Sequence, residues 1–203
     1  MNPLIEKTAA ALQKRGFEVH TAESGADARA LVLSMIEKNE SITFGGSATV
    51  NELGIIEALK AEGYLTYDRM EVAPAERLAF SRAHFFSDWF LMGSNAITEE
   101  GELLNLDGNG NRVAALIFGP TNVIVVAGLN KIVPDMSSAY ERVRKVAAPR
   151  NAQRFPLDTP CKKTGACADC LSPDTICAQF VRTRVCKPRG RIKVILVNEN
   201  LGF

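Results

Sequence analysis

A chain of 203 residues with 46% hydrophobic and 23% charged residues has the composition of a folded soluble domain with a proper core. Collagen-like, mucin-like and wholly disordered chains are excluded, and no stretch approaches the roughly 18 apolar residues of a membrane span. The net charge of +1 conceals a division: residues 1–149 hold 14 Lys/Arg against 19 Asp/Glu, residues 150–193 hold 10 against 3, and all five cysteines lie in that basic part.

Residues 3–15 are expected to be helical, with Leu4, Ile5, Ala9 and Leu12 on one face and Gly16 as the stop. Residues 17–20 read as a short strand, and Ser24 as the N-cap of a helix carrying Ala28, Leu31, Val32, Met35 and Ile36. Residues 41–44 are a brief strand running into Gly45-Gly46-Ser47. Thr49 and Glu52 then have capping-box spacing and predict a helix through Ile55, Ile56 and Leu59 toward Gly63. Residues 64–67 read as a strand, Pro74 as the first residue of a helix with Leu78, Ala79 and Ala83, and 89–93 as an apolar strand. After a polar stretch, 112–118 read as a helix closed by Gly119-Pro120. The continuous β-branched run 122–127 predicts a strand buried on both faces. Residues 135–148 form the last long helix, and 192–197 a strand beyond the cysteines that returns the chain to the body. Strands alternating with helices predict parallel βαβ units in a layered α/β fold. The expected organisation is an α/β body over 1–154, a Cys-rich lobe over 155–190 and a returning strand over 191–203. The N-terminal segment has charges within its apolar pattern, unlike a secretory signal, so a cytoplasmic location is the default expectation.

Two stretches carry ligand chemistry. In SITFGGSATVNELG a strand meets glycines and then a helix start. Gly45 and Gly46 would let an anion approach the backbone, and Ser47 and Thr49 add hydroxyl donors. Neither the Walker loop nor GxGxxG is present, and a tight turn with a capping hydroxyl fits the same residues. Beyond Gly93, the polar residues Ser94, Asn95, Thr98, Glu99, Glu100, Asn105, Asp107, Asn109 and Asn111 crowd the carboxyl end of a strand, where open α/β sheets bind ligands. A hairpin with Glu-Glu-Gly and Asp-Gly turns is the alternative.

GSNAITEEGELLNLDG, with FGGSATVNELG before it and GPTNVIVVAGLNKIVPD after it, resembles the LUD (lactate utilisation) domain family. The resemblance covers residues 1–150 and the last strand. It implies a three-layer Rossmann-like sheet of the NagB/RpiA/CoA-transferase type and a role beside iron–sulfur and oxidoreductase partner proteins in lactate oxidation. Carried across, Gly45, Gly46 and Ser47 match an anion-binding loop, and Asn95, Gly101 and Asn105 match the signature. The proton-transferring carboxylate of isomerase relatives falls at Glu99 or Asp107. Lys131, after the buried strand, could neutralise a phosphate or carboxylate, though a lone lysine is more often solvated.

The cysteines follow the order Cys161-x5-Cys167-x2-Cys170-x6-Cys177-x8-Cys186. Two thiolates two residues apart can chelate one metal, and two more complete a tetrahedron, so Cys161, Cys167, Cys170 and Cys177 read as a site for zinc or an iron–sulfur cluster. Lys162, Lys163, Arg182, Arg184 and Lys187 would offset the thiolate charge. Ser172-Pro173 reads as a cap that places Cys177 on a short helix. A redox CxxC, a basic nucleic-acid patch and unligated cysteines compete, the patch weakened by having only Phe155 and Phe180 among its charges. His20 and His84 have no motif around them and read as structural. No NAD, FAD or haem fingerprint occurs. The first functional reading is a component of 2-hydroxy-acid utilisation that binds a small anion at the Gly45–Ser47 loop. An isomerase or transferase acting on a sugar phosphate, CoA or folate is the second, and a regulatory module with a metal-stapled lobe is the third.

Overall fold

The computed structural model describes residues 2–203. The chain runs through α1 (Pro3–Lys14), β1 (Glu18–Ala22), α2 (Gly25–Met35), β2 (Ser41–Phe44), α3 (Ala48–Glu52), α4 (Ile55–Ala61), β3 (Leu65–Tyr67), a 3-10 turn at Arg69–Glu71, α5 (Arg77–Ala83) and β4 (Trp89–Gly93). It continues as β5 (Ala96–Thr98), β6 (Leu103–Asp107), α6 (Asn111–Phe118), β7 (Asn122–Gly128), a 3-10 turn at Leu129–Lys131 and β8 (Ile132–Val133). Then come α7 (Met136–Arg142), a π-helical turn at Val143–Ala147, α8 (Ala148–Ala152), α9 (Pro160–Thr164), β9 (Gln179–Thr183) and β10 (Ile192–Val197).

Six strands form a fully parallel sheet in the order β1-β10-β7-β4-β2-β3. The β-branched run of β7 lies at its centre and is buried on both faces. Ile124 and Val126 point into one apolar layer with Val32, Leu53, Ile55 and Leu59 from α2, the turn after α3, and α4. Val123, Val125 and Ala127 point into the other with Ile5, Leu12 and Leu116 from α1 and α6. The result is a three-layer α/β body, as expected. Each fully buried Leu or Ile contributes about 1.5–3 kcal/mol of transfer free energy. A second sheet, ordered β8-β5-β6-β9, packs Ile97 and Leu103 against the body and Ala96, Leu104 and Leu106 against α7. Its β5–β6 pair is antiparallel, so the polar stretch after Gly93 does form the hairpin that competed with a ligand loop. Its edge strand, β9, comes from the segment after Cys177 and pairs antiparallel with β6.

Local chemistry sets several boundaries differently from expectation. Ser47, not Thr49, caps α3 by accepting the Val50 N–H at 3.2 Å, and the helix breaks at Gly54, whose φ is +62°. The helix expected from Pro74 begins at Arg77, because a turn closed by the Glu76 N–H on the Ala73 carbonyl occupies the intervening residues. The last long helix runs past 148. Its π turn immediately precedes Pro149, which has no N–H for the carbonyl four residues back. Cys177 lies on no helix; Ser172 instead makes a turn by accepting the Asp174 N–H and donating to Asp158 O.

Candidate functional site

The parallel strands deliver Gly45, Gly93 and Gly128 to one edge of the body, the carboxyl edge at which such sheets bind ligands. The Gly45 N–H is spent on Leu91 O at 2.9 Å. A Cβ on Gly45 would stand 2.9 Å from both Arg112 Cγ and Phe90 Cζ, and one on Gly46 would stand 3.2 Å from Arg69 Nη2. The two glycines therefore leave room for two arginines to lie against the backbone. A Cβ on Gly93 would meet Ser47 Oγ at 2.7 Å, which joins the two strand ends.

Arg112 is buried at the start of α6 and binds the motif residues together. Its Nε donates to Asp107 Oδ1, Nη1 to Asn105 Oδ1 and Gly93 O, and Nη2 to Asn95 Oδ1 and Leu106 O, all at 2.8–3.2 Å. Asp107 Oδ2 accepts the backbone N–H groups of Arg112 and Val113, so this carboxylate also caps α6. Asn95, Asn105 and Asp107 are thus brought together around a cation. One donor of the cluster is left over: Asn105 Nδ2 is fully buried and has no partner among the described residues.

Arg69 has the opposite condition. It is half-buried beside Gly46 and makes no hydrogen bond or ion pair among the described residues. Burial pulls its guanidinium below the ordinary range; Asp107 and Asp68 act against that shift, while Arg77 and Arg154 add to it. Arg77 contributes a second unsatisfied donor, a buried Nε without a partner among the described residues. Sequence reasoning missed all three of these arginines. Arg112 had a readable signal, an opposite charge five residues after Asp107 at a helix start, whereas Arg69 and Arg77 had none.

The remaining residues fall elsewhere. Thr49 is buried and donates to Leu201 O at 3.3 Å, and Gly202 packs on it. Lys131, read as a group to neutralise an anion with solvated surface as the alternative, is only 2% exposed. Its Nζ donates to Phe203 O, and burial followed by repulsion from Arg142 lowers its pKa to about 7. The segment Glu199–Phe203 thus lies across Thr49 and Lys131. Glu99 and Gly101 sit in the β5–β6 turn against α1: Glu99 pairs with Lys7, and Gly101, at φ +83°, leaves no room for a Cβ against Ala11 and Leu12. Neither reaches the Gly45–Ser47 loop through any of these contacts. His84 is packed between the rings of Tyr67 and Phe80. Cys161 is on α9, Cys167 and Cys170 follow in a loop, and Cys177 packs on the α7 cluster. Cys186 is buried in the body, accepting the Ile192 N–H and donating to Pro188 O. Among the described residues, no three His, Cys, Asp or Glu side chains stand at chelating separations.

Comparison with known proteins adds the lineage. The model of the LUD domain family matches residues 5–197. A DUF162 family protein from Deinococcus radiodurans is similar over 97% of this chain and 96% of its own, with a TM-score of 0.58 and 12% identity, which shows a shared fold. Ribose 5-phosphate isomerase A from Neisseria gonorrhoeae aligns over 75% of this chain and 66% of its own, with a TM-score of 0.36 and 12% identity. For eIF2B delta from Chaetomium thermophilum the corresponding figures are 68%, 54%, 0.39 and 12%. No curated protein matches the sequence. No helix among the described residues is long and apolar enough to cross a membrane.

Proposed function

The chain belongs to the LUD domain family, and from that premise we propose that it is a component of 2-hydroxy-acid (lactate) utilisation that binds a small organic anion against the Gly45–Ser47 loop. One observation carries the reading: Arg69 lies on Gly46, half-buried and without a hydrogen-bond partner among the described residues. A partly desolvated guanidinium is costly unless an acceptor joins it, and a carboxylate offers two oxygens in the matching fork geometry. Arg77, whose charge Arg69 feels, and Asn105 each keep one buried donor without a partner among the described residues. Electron transfer would fall to iron–sulfur or oxidoreductase partner proteins, since the sequence has no fingerprint for a nicotinamide, flavin or haem. Binding is favoured over proton transfer because both carboxylates proposed as bases carry partners, Asp107 in Arg112 and Glu99 in Lys7.

The test is a thermal-shift series with lactate, pyruvate, a sugar phosphate, CoA and folate on the wild type and Arg69→Gln. A 2-hydroxy or 2-oxo acid at 100 times its dissociation constant should stabilise the wild type by about 2.7 kcal/mol and leave Arg69→Gln unshifted. A response to sugar phosphate, CoA or folate alone would replace this reading by the isomerase or transferase one. No response to any anion would remove the site.

A further inference from the structure

Residues 153–180 form the least self-supporting part of the chain. Only Thr159 is buried there, and it is polar; Leu171 is 98% exposed. The links across the segment are polar as well: the Asp158 N–H donates to Asp174 Oδ2, Ser172 Oγ donates to Asp158 O, and Lys163 pairs with Asp158. Exposed ion pairs of that kind contribute about 0–1 kcal/mol each. A stretch this long without an apolar core is ordinarily held by disulfides or a metal. All five cysteines are free thiols.

Four of those thiols share one neighbourhood. Cys161 stands on α9 with its Sγ 3.4 Å from the buried Thr159 Oγ1. The loop then reverses through Asp169, at φ +52° an unusual left-handed residue for anything but glycine, between Cys167 and Cys170. Arg144, in the π turn after α7, holds this reversal through Asp169 Oδ1 at 2.8 Å and through the Cys167 thiol. Cys177 packs half-buried on the α7 cluster, and its electrostatic neighbours are Cys167, Cys161 and Cys170. The fifth cysteine, Cys186, is apart, buried in the body.

We propose that Cys161, Cys167, Cys170 and Cys177 are the four thiolate ligands of a structural zinc ion that staples residues 153–180 together. Four thiolates around one divalent ion form a closed tetrahedral site, the arrangement zinc takes when its role is structural. Zinc binds thiolate and not thiol, so its uptake releases protons. The bound site carries a net −2, which Arg144, beside Cys167, is placed to offset. The thiols stand wider than chelation requires, and the stretch that carries Cys167, residues 163–169, is exposed and outside the apolar packing that holds Cys177.

This proposal is independent of the anion site. The full chain, purified under reductant, should contain one zinc per chain and be colourless. Cobalt exchange should give thiolate charge-transfer bands and the visible bands of tetrahedral coordination. Cys170→Ser and Cys177→Ser should lose the metal, and Cys186→Ser should keep it. Because a serine variant can fail for reasons of folding, the wild type is also stripped with a chelator and probed by limited proteolysis. New cleavage confined to 153–180, reversed by zinc, supports the staple. Metal-free reduced wild type, full zinc in Cys170→Ser, unchanged proteolysis after stripping, or a brown protein with acid-labile sulfide would each overturn the zinc assignment.

Discussion

Arg112 and Arg69 lie against consecutive residues of one loop, Gly45 and Gly46, and are in opposite electrostatic states. Arg112 spends its guanidinium on Asp107, Asn95, Asn105 and two backbone carbonyls. Arg69 makes no hydrogen bond or ion pair among the described residues and feels Asp107 and Asp68 only at longer range. Satisfied, a buried cation locks strand ends and a helix start into one geometry; unsatisfied, it retains free energy for a partner from outside. Lys131 is an intermediate case, buried with one carbonyl acceptor and with Arg142 nearby. The same residue class therefore serves structure at one glycine and, in the function proposed, ligand capture at the next.

The largest effect separates the two arginines by stability. Arg112→Met leaves Asp107 buried without its ion-pair partner and Asn105 Oδ1 without a donor, a loss of about 3–5 kcal/mol. In a chain of this size the thermal midpoint should fall by about 2–4 °C per kcal/mol. A drop of less than 1 kcal/mol in urea unfolding would show that the network is not what fixes the strand ends. The next effect belongs to Lys131 and depends on pH. Its folded pKa, about 7, lies below the unfolded value near 10.5, so between them the unfolded chain holds a proton that the folded chain lacks. Stability attributable to Lys131 therefore rises with pH from about 7 to about 10, by up to about 1.4 kcal/mol per unit, and its penalty is constant below that window. Lys131→Met should be more stable than wild type at pH 7 and should have a flatter profile between pH 7.5 and 9.5. Parallel profiles would mean that the amine stays protonated in the fold.

The body was legible because its signals are redundant. The run from Asn122 needs burial on both faces, and Ser41–Phe44 and Trp89–Gly93 end on glycine, so periodicity and punctuation agree. The site was only half legible. Asn95, Asn105 and Asp107 do assemble, but sequence spacing cannot reveal that an arginine from the following helix consumes their oxygens. Arg69 could not be found at all, since it reaches Gly46 from the turn after β3 by tertiary contact. The burial of Lys131 was not legible for the same reason: it is imposed by Glu199–Phe203, more than sixty residues away in sequence.

The smallest effect uses the glycines to tell the arginines apart. Gly46 is not in a left-handed conformation, so alanine suits its backbone, and the new Cβ meets only the far end of Arg69 at 3.2 Å. Gly46→Ala should change stability by no more than about 0.5 kcal/mol, because a flexible side chain can step aside. The same step moves the guanidinium off the loop, so carboxylate affinity should fall three- to tenfold, read by calorimetric titration with the acid that stabilises the wild type. Gly45→Ala drives a Cβ to 2.9 Å from the packed Arg112 Cγ and Phe90 Cζ, and overpacking there should cost about 1–3 kcal/mol. The contrast fails if Gly46→Ala is the more destabilising of the two, since Gly46 would then be required by the fold and not by the position of Arg69. It also fails if Gly46→Ala binds the acid as tightly as wild type, because the anion would then be held by groups other than Arg69.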